Sequence, residues 1–355
     1  MMTTLAKSLT KNNIRDLVPY ASARRSMSGG NIWLNANESP FANEYHLDSS
    51  VLNRYPDFQP PELIKAYANY AGVQTDQVLA SRGADEAIEL LIRTFCEYDE
   101  QVLICPPTYG MYAISAQTCG IEVKKVPLKT DFSLDIENIK AAKNKVKVVF
   151  ICAPNNPTGT LVNHEQIKQV LEIFKNTAIV AVDEAYIEYA SEQTVASWIA
   201  KYDNLAVMRT LSKAFGLAGI RCGFTLANRD IIEAMSKVIP PYPISWPVAQ
   251  IACQALTESG LAKMAEQKAI VLAQKERIQT ALDKADYVYE QIDSASNFIM
   301  FRSQAKKALF AAFLDAGILI RDYSGQIMLD NSLRISIGSQ ADTDAVIAVL
   351  EAFKG

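Results

Sequence analysis

Histidine is nearly absent from this chain of 355 residues: only His46 and His164 occur, and neither stands beside a cysteine or a second histidine. Zinc and iron sites draw on such clusters, so no metal centre is expected. The six cysteines, at positions 96, 105, 119, 152, 222 and 253, include no C-x-x-C pair, and several lie inside apolar runs. That pattern predicts reduced, mostly buried thiols of a cytoplasmic protein rather than a disulfide framework. Long apolar runs are also missing. None approaches the roughly 18 residues that a membrane helix needs, and the N-terminus lacks a secretory apolar core. Nor is there an excess of positive charge: 35 basic against 39 acidic residues leave a net charge of −4, so no broad surface for nucleic acid is expected.

What is present is an ordinary globular composition, 49% hydrophobic and 21% charged, in a chain long enough for two domains. From about residue 77 to 227, short apolar β-branched runs alternate with helical patterns, which predicts parallel strands joined by crossover helices in an α/β layer domain. Candidate strands are 77–80, 102–105, 146–152, 178–182, 205–209 and 222–227. VKVVFIC and AIVAVD are apolar at nearly every position, as expected of central strands covered on both faces. The prolines at 240, 241, 243 and 247 interrupt the pattern, and a long helical stretch follows from about 260 to 286. Beyond it, YVYEQI, NFIMFR and LRISIG alternate with helices at about 306–316 and 342–354. The expected organisation is an N-terminal arm (1–30, with a Gly29-Gly30 hinge), a large α/β domain (31–245) and a smaller α+β domain (246–355).

Chemistry concentrates after the strands. In RTLSKAFGLAGIRCGF, Lys213 sits among small and apolar residues, and Arg221 follows eight positions later. A lone loop lysine usually keeps its head in water. In a water-poor pocket, however, its amine pKa falls and it can form an imine with an aldehyde, the linkage that holds pyridoxal phosphate. Thr210, Ser212 and Arg221 are then placed to bind a phosphate. SRGADE offers a second phosphate element in the amides of a helix start expected over 87–96; alone, a strand-to-helix turn with an aspartate N-cap is more often ordinary capping, and the phosphate reading gains weight only beside Lys213. Asp183, in AIVAVDEAY, falls at a strand's carboxyl end, where open α/β sheets bind ligands. A buried carboxylate there needs a cation, which a pyridinium nitrogen supplies; a cap or a surface carboxylate is the alternative. Tyr186 could reach a ring's phenolic oxygen; Asn156 could donate to it, although Asn-Pro and Thr-Gly are equally the chemistry of a tight turn at a strand end; and Tyr109 could stack on a heterocycle, although an isolated tyrosine is more often core.

In this order and spacing, SRGADE, CPPTYG, PNNPTG, VDEAY and RTLSKAFGLAGIRCG resemble the fold-type I aminotransferases, and within them the branch that acts on histidinol phosphate. LVPY, WLNANESP, NRYPD, PPYPIS and LRISIG extend the resemblance over nearly the whole chain. Trp246 is bulkier than that pattern expects, and 323–332 is not closely matched. The resemblance implies a mainly parallel central sheet flanked by helices, pyridoxal 5'-phosphate as cofactor, and a homodimer with shared sites. Lys213 would carry the Schiff base and shuttle the proton. Asp183 would pair with the ring nitrogen, Asn156 and Tyr186 with the ring oxygen, and Tyr109 with the ring face. Arg221, Thr210, Ser212, Ala84 and Asp85 would hold the phosphate, joined by Tyr55 of the other subunit. Arg321 and Arg334 would grip the substrate's anionic end, with Tyr20 closing over it. The implied substrates are histidinol phosphate and 2-oxoglutarate or glutamate. An aromatic or dicarboxylic amino-acid aminotransferase of the same fold, a lyase such as threonine-phosphate decarboxylase, and an idle cofactor-binding protein are the alternatives.

Overall fold

The runs that are apolar on both faces become the middle of a layered sheet. The computed structural model describes residues 4–19 and 29–354. After β1 (Ile32–Trp33) come β2 (Val78–Ser81), β3 (Gln101–Ile104), β4 (Glu122–Lys125), β5 (Val146–Cys152), β6 (Ile179–Asp183), β7 (Leu205–Thr210) and β8 (Gly223–Ala227). The last seven form one sheet in the order β2-β8-β7-β6-β5-β3-β4. Side chains alternate between its faces. Val149, Ile151, Val180, Val182 and Val207 enter one core. Val148, Phe150, Ala181, Ala206 and Met208 enter the other.

Two details differ from the sequence reading. β8 runs antiparallel to both β7 and β2, so the sheet is not wholly parallel. The reason is the connection: residues 211–222 are at the lower limit for a crossover and hold only a short 3-10 turn, Ala218–Ile220, in place of the α-helix that usually carries a parallel return. β4 was absent from the candidates because it is an edge strand, EVKK, with no apolar run to mark it.

The C-terminal part forms β9 (Val288–Ile292), β10 (Phe298–Ser303), β11 (Ile318–Leu319), β12 (Arg321–Asp322) and β13 (Ser332–Ser336). An antiparallel sheet of order β12-β13-β10-β9 carries its own core of Phe301, Phe313, Ile335 and Val346, among others. β1 pairs in parallel with β11 and so ties the N-terminal segment to this unit. The expected helix at about 260–286 is Glu258–Asp283, N-capped by the Thr257 hydroxyl. A separate helix, Trp246–Ala255, precedes it. Pro247 lies in the first turn of that helix, where a missing N–H costs nothing, so the proline cluster opens a helix as well as interrupting one. Ala249, Ala252 and Ala255 of this helix pack into the same core as Leu63 and Tyr67 from the helix Pro61–Ala71.

Candidate active site

The short return from β7 to β8 concentrates functional groups at the carboxyl edge of the sheet. Its loop is pinned by backbone bonds from Leu211 N to Cys222 O (3.0 Å) and from Leu217 N to Leu211 O (3.1 Å). Arg221 adopts a left-handed backbone with φ 56°, which an arginine takes only when its surroundings hold it there. Thr210 Oγ1 lies 2.8 Å from Ser212 Oγ, and Arg221 Nη1 donates to Ser212 Oγ at 3.3 Å. Opposite them begins the helix Gly83–Phe95, four residues before the expected start. Its N-cap is Arg82, with no side-chain capping bond, and Asp85 stands in the first turn instead of capping it. Asp85 accepts from Tyr109 Oη at 2.9 Å and from Arg221 Nη2 at 3.1 Å.

Two glycines let these elements meet. A Cβ on Gly223 would fall 2.5 Å from Gly83 C and 2.6 Å from Ala84 N, and one on Gly83 would fall 2.7 Å from Arg221 Nη2. Hydroxyls, a guanidinium and helix-start amides therefore converge, the donor set that a phosphate requires.

Deeper in the pocket, register places Asp183, the last residue of β6, beside Cys152 at the end of β5 and Met208 near the end of β7. Asp183 is 2% exposed. It accepts from Tyr112 Oη at 2.6 Å and from Ala185 N at 3.0 Å, and burial pushes its carboxyl up to about 6 despite these bonds. Tyr186 Oη receives the Asn37 amide at 2.9 Å and the Asn156 amide at 3.3 Å. Lys213 Nζ donates to Ala36 O at 3.1 Å and sits 5.5 Å from the centre of the Tyr186 ring. Burial, with the positive charges of Arg334 and Arg221, brings its amine down to about 8; Asp85 and Glu38 oppose the shift. Tyr109 stands edge-on to Tyr112, ring centres 5.6 Å apart.

Arg321 and Arg334, thirteen residues apart in sequence, are direct partners across β12 and β13. Arg334 is 3% exposed and donates to Asn156 Oδ1 at 2.7 Å and to Asn35 O at 3.2 Å. The neighbouring Asp322 accepts from Lys306 Nζ at 2.7 Å.

One cavity of about 510 Å³ is lined by Ala84, Asp85, Tyr109, Asn156, Asp183, Tyr186, Thr210, Ser212, Lys213, Arg221, Arg321 and Arg334. Tyr55 is not among them: it is 78% exposed and stacks on Tyr242 at 4.5 Å. Tyr20 lies outside the described residues. Sequence reasoning assigned no role to Asn35, Ala36 and Asn37, which line the wall facing Lys213, to Tyr112, which holds Asp183, or to Tyr323. The first three lie in WLNANESP, where the available signal was a pair of asparagines directly after the apolar Trp33-Leu34.

The pocket fits a phosphorylated pyridine aldehyde. It offers an anion cradle, a buried carboxylate for a ring nitrogen, two amides and a phenol for a ring oxygen, and an amine of lowered basicity for the aldehyde.

The chain is similar to known proteins in sequence and in fold. Residues 30–350 match the family described as aminotransferase class I and II. The histidinol-phosphate aminotransferase of Pseudoalteromonas atlantica is 53% identical over 350 residues, 97% of this chain and 94% of that protein. The protein of the same name from Yersinia enterocolitica is 51% identical over 353 residues, 99% of this chain and 94% of its own length. Among solved structures, the histidinol-phosphate aminotransferase of Sinorhizobium meliloti, in complex with pyridoxal-5'-phosphate, matches with a TM-score of 0.83. It is 23% identical, over 97% of this chain and 98% of that one, a likeness of fold.

Proposed function

The chain belongs to the aminotransferase class I and II family, and on that footing we propose that it transfers an amino group between histidinol phosphate and 2-oxoglutarate, a step of histidine biosynthesis. Its fold is fold-type I, and its cofactor is pyridoxal 5'-phosphate. The observation that carries the substrate is identity above one half, along nearly the whole chain, to curated histidinol-phosphate aminotransferases.

When bound, the cofactor supplies an aldehyde for the substrate amine and a ring that takes up the electron pair left when Cα loses its proton. The residues then divide the work. Lys213, its amine lowered to about 8, would hold the aldehyde and would move the proton at the substrate's Cα. Asp183 holds a proton on the ring nitrogen, and so gains the cation that its burial demands. Asn156 and Tyr186 orient the phenolic oxygen, and Tyr109 covers the ring. Thr210, Ser212, Arg221 and the amides at Ala84 and Asp85 anchor the phosphate.

Arg321 and Arg334 hold the anionic end of the substrate, each able to fork onto a phosphate or a carboxylate. Tyr20 closes over that end. The working unit is a cytoplasmic homodimer in which Tyr55 reaches the other subunit's cofactor phosphate. Support for this comes from the exposure of Tyr55 in its own chain and from its absence from its own chain's pocket lining.

Substrate choice is tested by adding histidinol phosphate, unphosphorylated histidinol, histidine, tyrosine and aspartate separately to the holoenzyme. Conversion of the cofactor's absorbance to that of its amine form is followed in each case. Histidinol phosphate should react at the lowest concentration. Equal use of unphosphorylated histidinol would end the substrate assignment.

A further inference from the structure

We propose that Tyr323 is a specificity-determining residue for the phosphate end of the substrate: its ring holds Arg321 and Arg334 side by side without consuming their N–H donors. The inference rests on reading this pocket as the site of a phosphorylated amine. Arg321 and Arg334 occupy directly opposed positions on neighbouring antiparallel strands, an arrangement in which like charges repel. An acidic residue between them would relieve the repulsion but would also take up donors that a substrate anion needs.

An aromatic face stands there. Tyr323 follows Arg321 by two positions, so the two side chains share a face. Its ring centre lies 5.9 Å from Arg321 Cζ and 4.9 Å from Arg334 Cζ. The Phe298 ring adds a second contact to Arg334, also at 4.9 Å. A ring quadrupole attracts a guanidinium through its face and leaves the planar edge free for hydrogen bonds.

Arg334 keeps donors in reserve: Nη1 and Nη2 each make one bond, to an amide oxygen and a backbone carbonyl, and its buried Nε has no partner among the described residues. Tyr323 lines the same cavity as Lys213, and its backbone N–H is fixed to Ser332 O at 3.0 Å. A phosphate monoester brings up to two negative charges to the pair and gains from both cations held close; an α-carboxylate brings one. Without the ring the pair loses a side chain that contacts both guanidiniums, and the dianion loses more than the monoanion.

The test compares wild-type holoenzyme with Tyr323→Phe, Tyr323→Leu and Tyr323→Gln. Stopped-flow absorbance of each half-reaction gives a half-saturation concentration and a limiting rate for histidinol phosphate and for glutamate. Leucine and glutamine should raise the half-saturation concentration for histidinol phosphate by about tenfold or more, with glutamate changed by less than about threefold and limiting rates little affected. Phenylalanine should restore the wild-type pattern. Cofactor absorbance and melting temperature check that each variant is folded, and the glutamine variant alone suffices if leucine does not fold. Unchanged half-saturation in the leucine or glutamine variant, equal losses for both substrates, or a phenylalanine variant as impaired as the others would overturn the role. A wild-type enzyme that did not prefer histidinol phosphate to histidinol would instead overturn the substrate reading, before any variant was compared.

Discussion

Lys213 and Asp183 carry pKa values displaced by burial, in directions that bear on the proposed chemistry. Lys213 is brought down to about 8, so its free-amine fraction is small below that pH and rises through it. The rate at which apoenzyme captures pyridoxal phosphate should therefore rise through about pH 8 and then level. Arg334→Gln removes a positive neighbour and should move that midpoint upward by about half a unit to one unit. Stopped-flow capture at a series of pH values measures both, and an unmoved midpoint would show that Arg334 does not set the amine's basicity. Asp183 is displaced the other way, from 3.8 to about 6. A carboxyl whose folded value is raised burdens the folded state: the cost is absent below about pH 4, grows through the interval and is complete above about pH 6. Two units correspond to at most about 3 kcal/mol. Cofactor-free Asp183→Asn, which can still accept from Tyr112, should melt higher than wild type at pH 7.5, with the gap closing toward pH 4, while transamination falls by orders of magnitude. Identical melting curves at both pH values would remove the proposed burden.

At the scale of elements, the site depends on a helix start lying against a strand start. The contact is backbone on backbone, and Gly223 is the residue that allows it. Gly223→Ala must push β8 away from Gly83, an overpacking that costs about 1 to 3 kcal/mol. Because the displaced atoms carry the Ala84 amide, cofactor affinity should fall roughly tenfold to a hundredfold. Fluorescence titration of apoenzyme with pyridoxal phosphate measures this, and wild-type affinity would mean that the amide is not part of the cradle. The helix Trp246–Ala255 bears on the division of the chain. Its alanines pack with the core of the seven-stranded sheet, and we propose that the domain boundary expected at 245/246 be set after this helix.

For the whole molecule, the proposed dimer makes a prediction that no single chain can meet. If Tyr55 serves the partner's cofactor, mixing an inactive Lys213→Ala chain with an inactive Tyr55→Ala chain should produce heterodimers with one site carrying both lesions and one carrying neither. Activity should recover to about half of the wild-type value per heterodimer. Purified heterodimers that stay inactive, beside a Tyr55→Ala homodimer that is clearly impaired, would rule out sharing.

The sequence by itself determined the doubly covered strands, because apolar residues on both faces can be satisfied only between two layers. It also made Lys213, Asp183, Asn156 and Arg221 legible as candidates, since each stands at a strand end in a turn of small or special residues. It could not show that β8 turns back, which depends on the span of a twelve-residue connection. The facing of Arg321 and Arg334 and the ring of Tyr323 against both arose from strand register, which no local pattern encodes. Asn37, bonded to Tyr186 Oη from 149 positions away, is likewise a product of packing. Periodicity and turn chemistry act between near neighbours. The pocket is built from contacts between distant segments, and only the folded chain decides those.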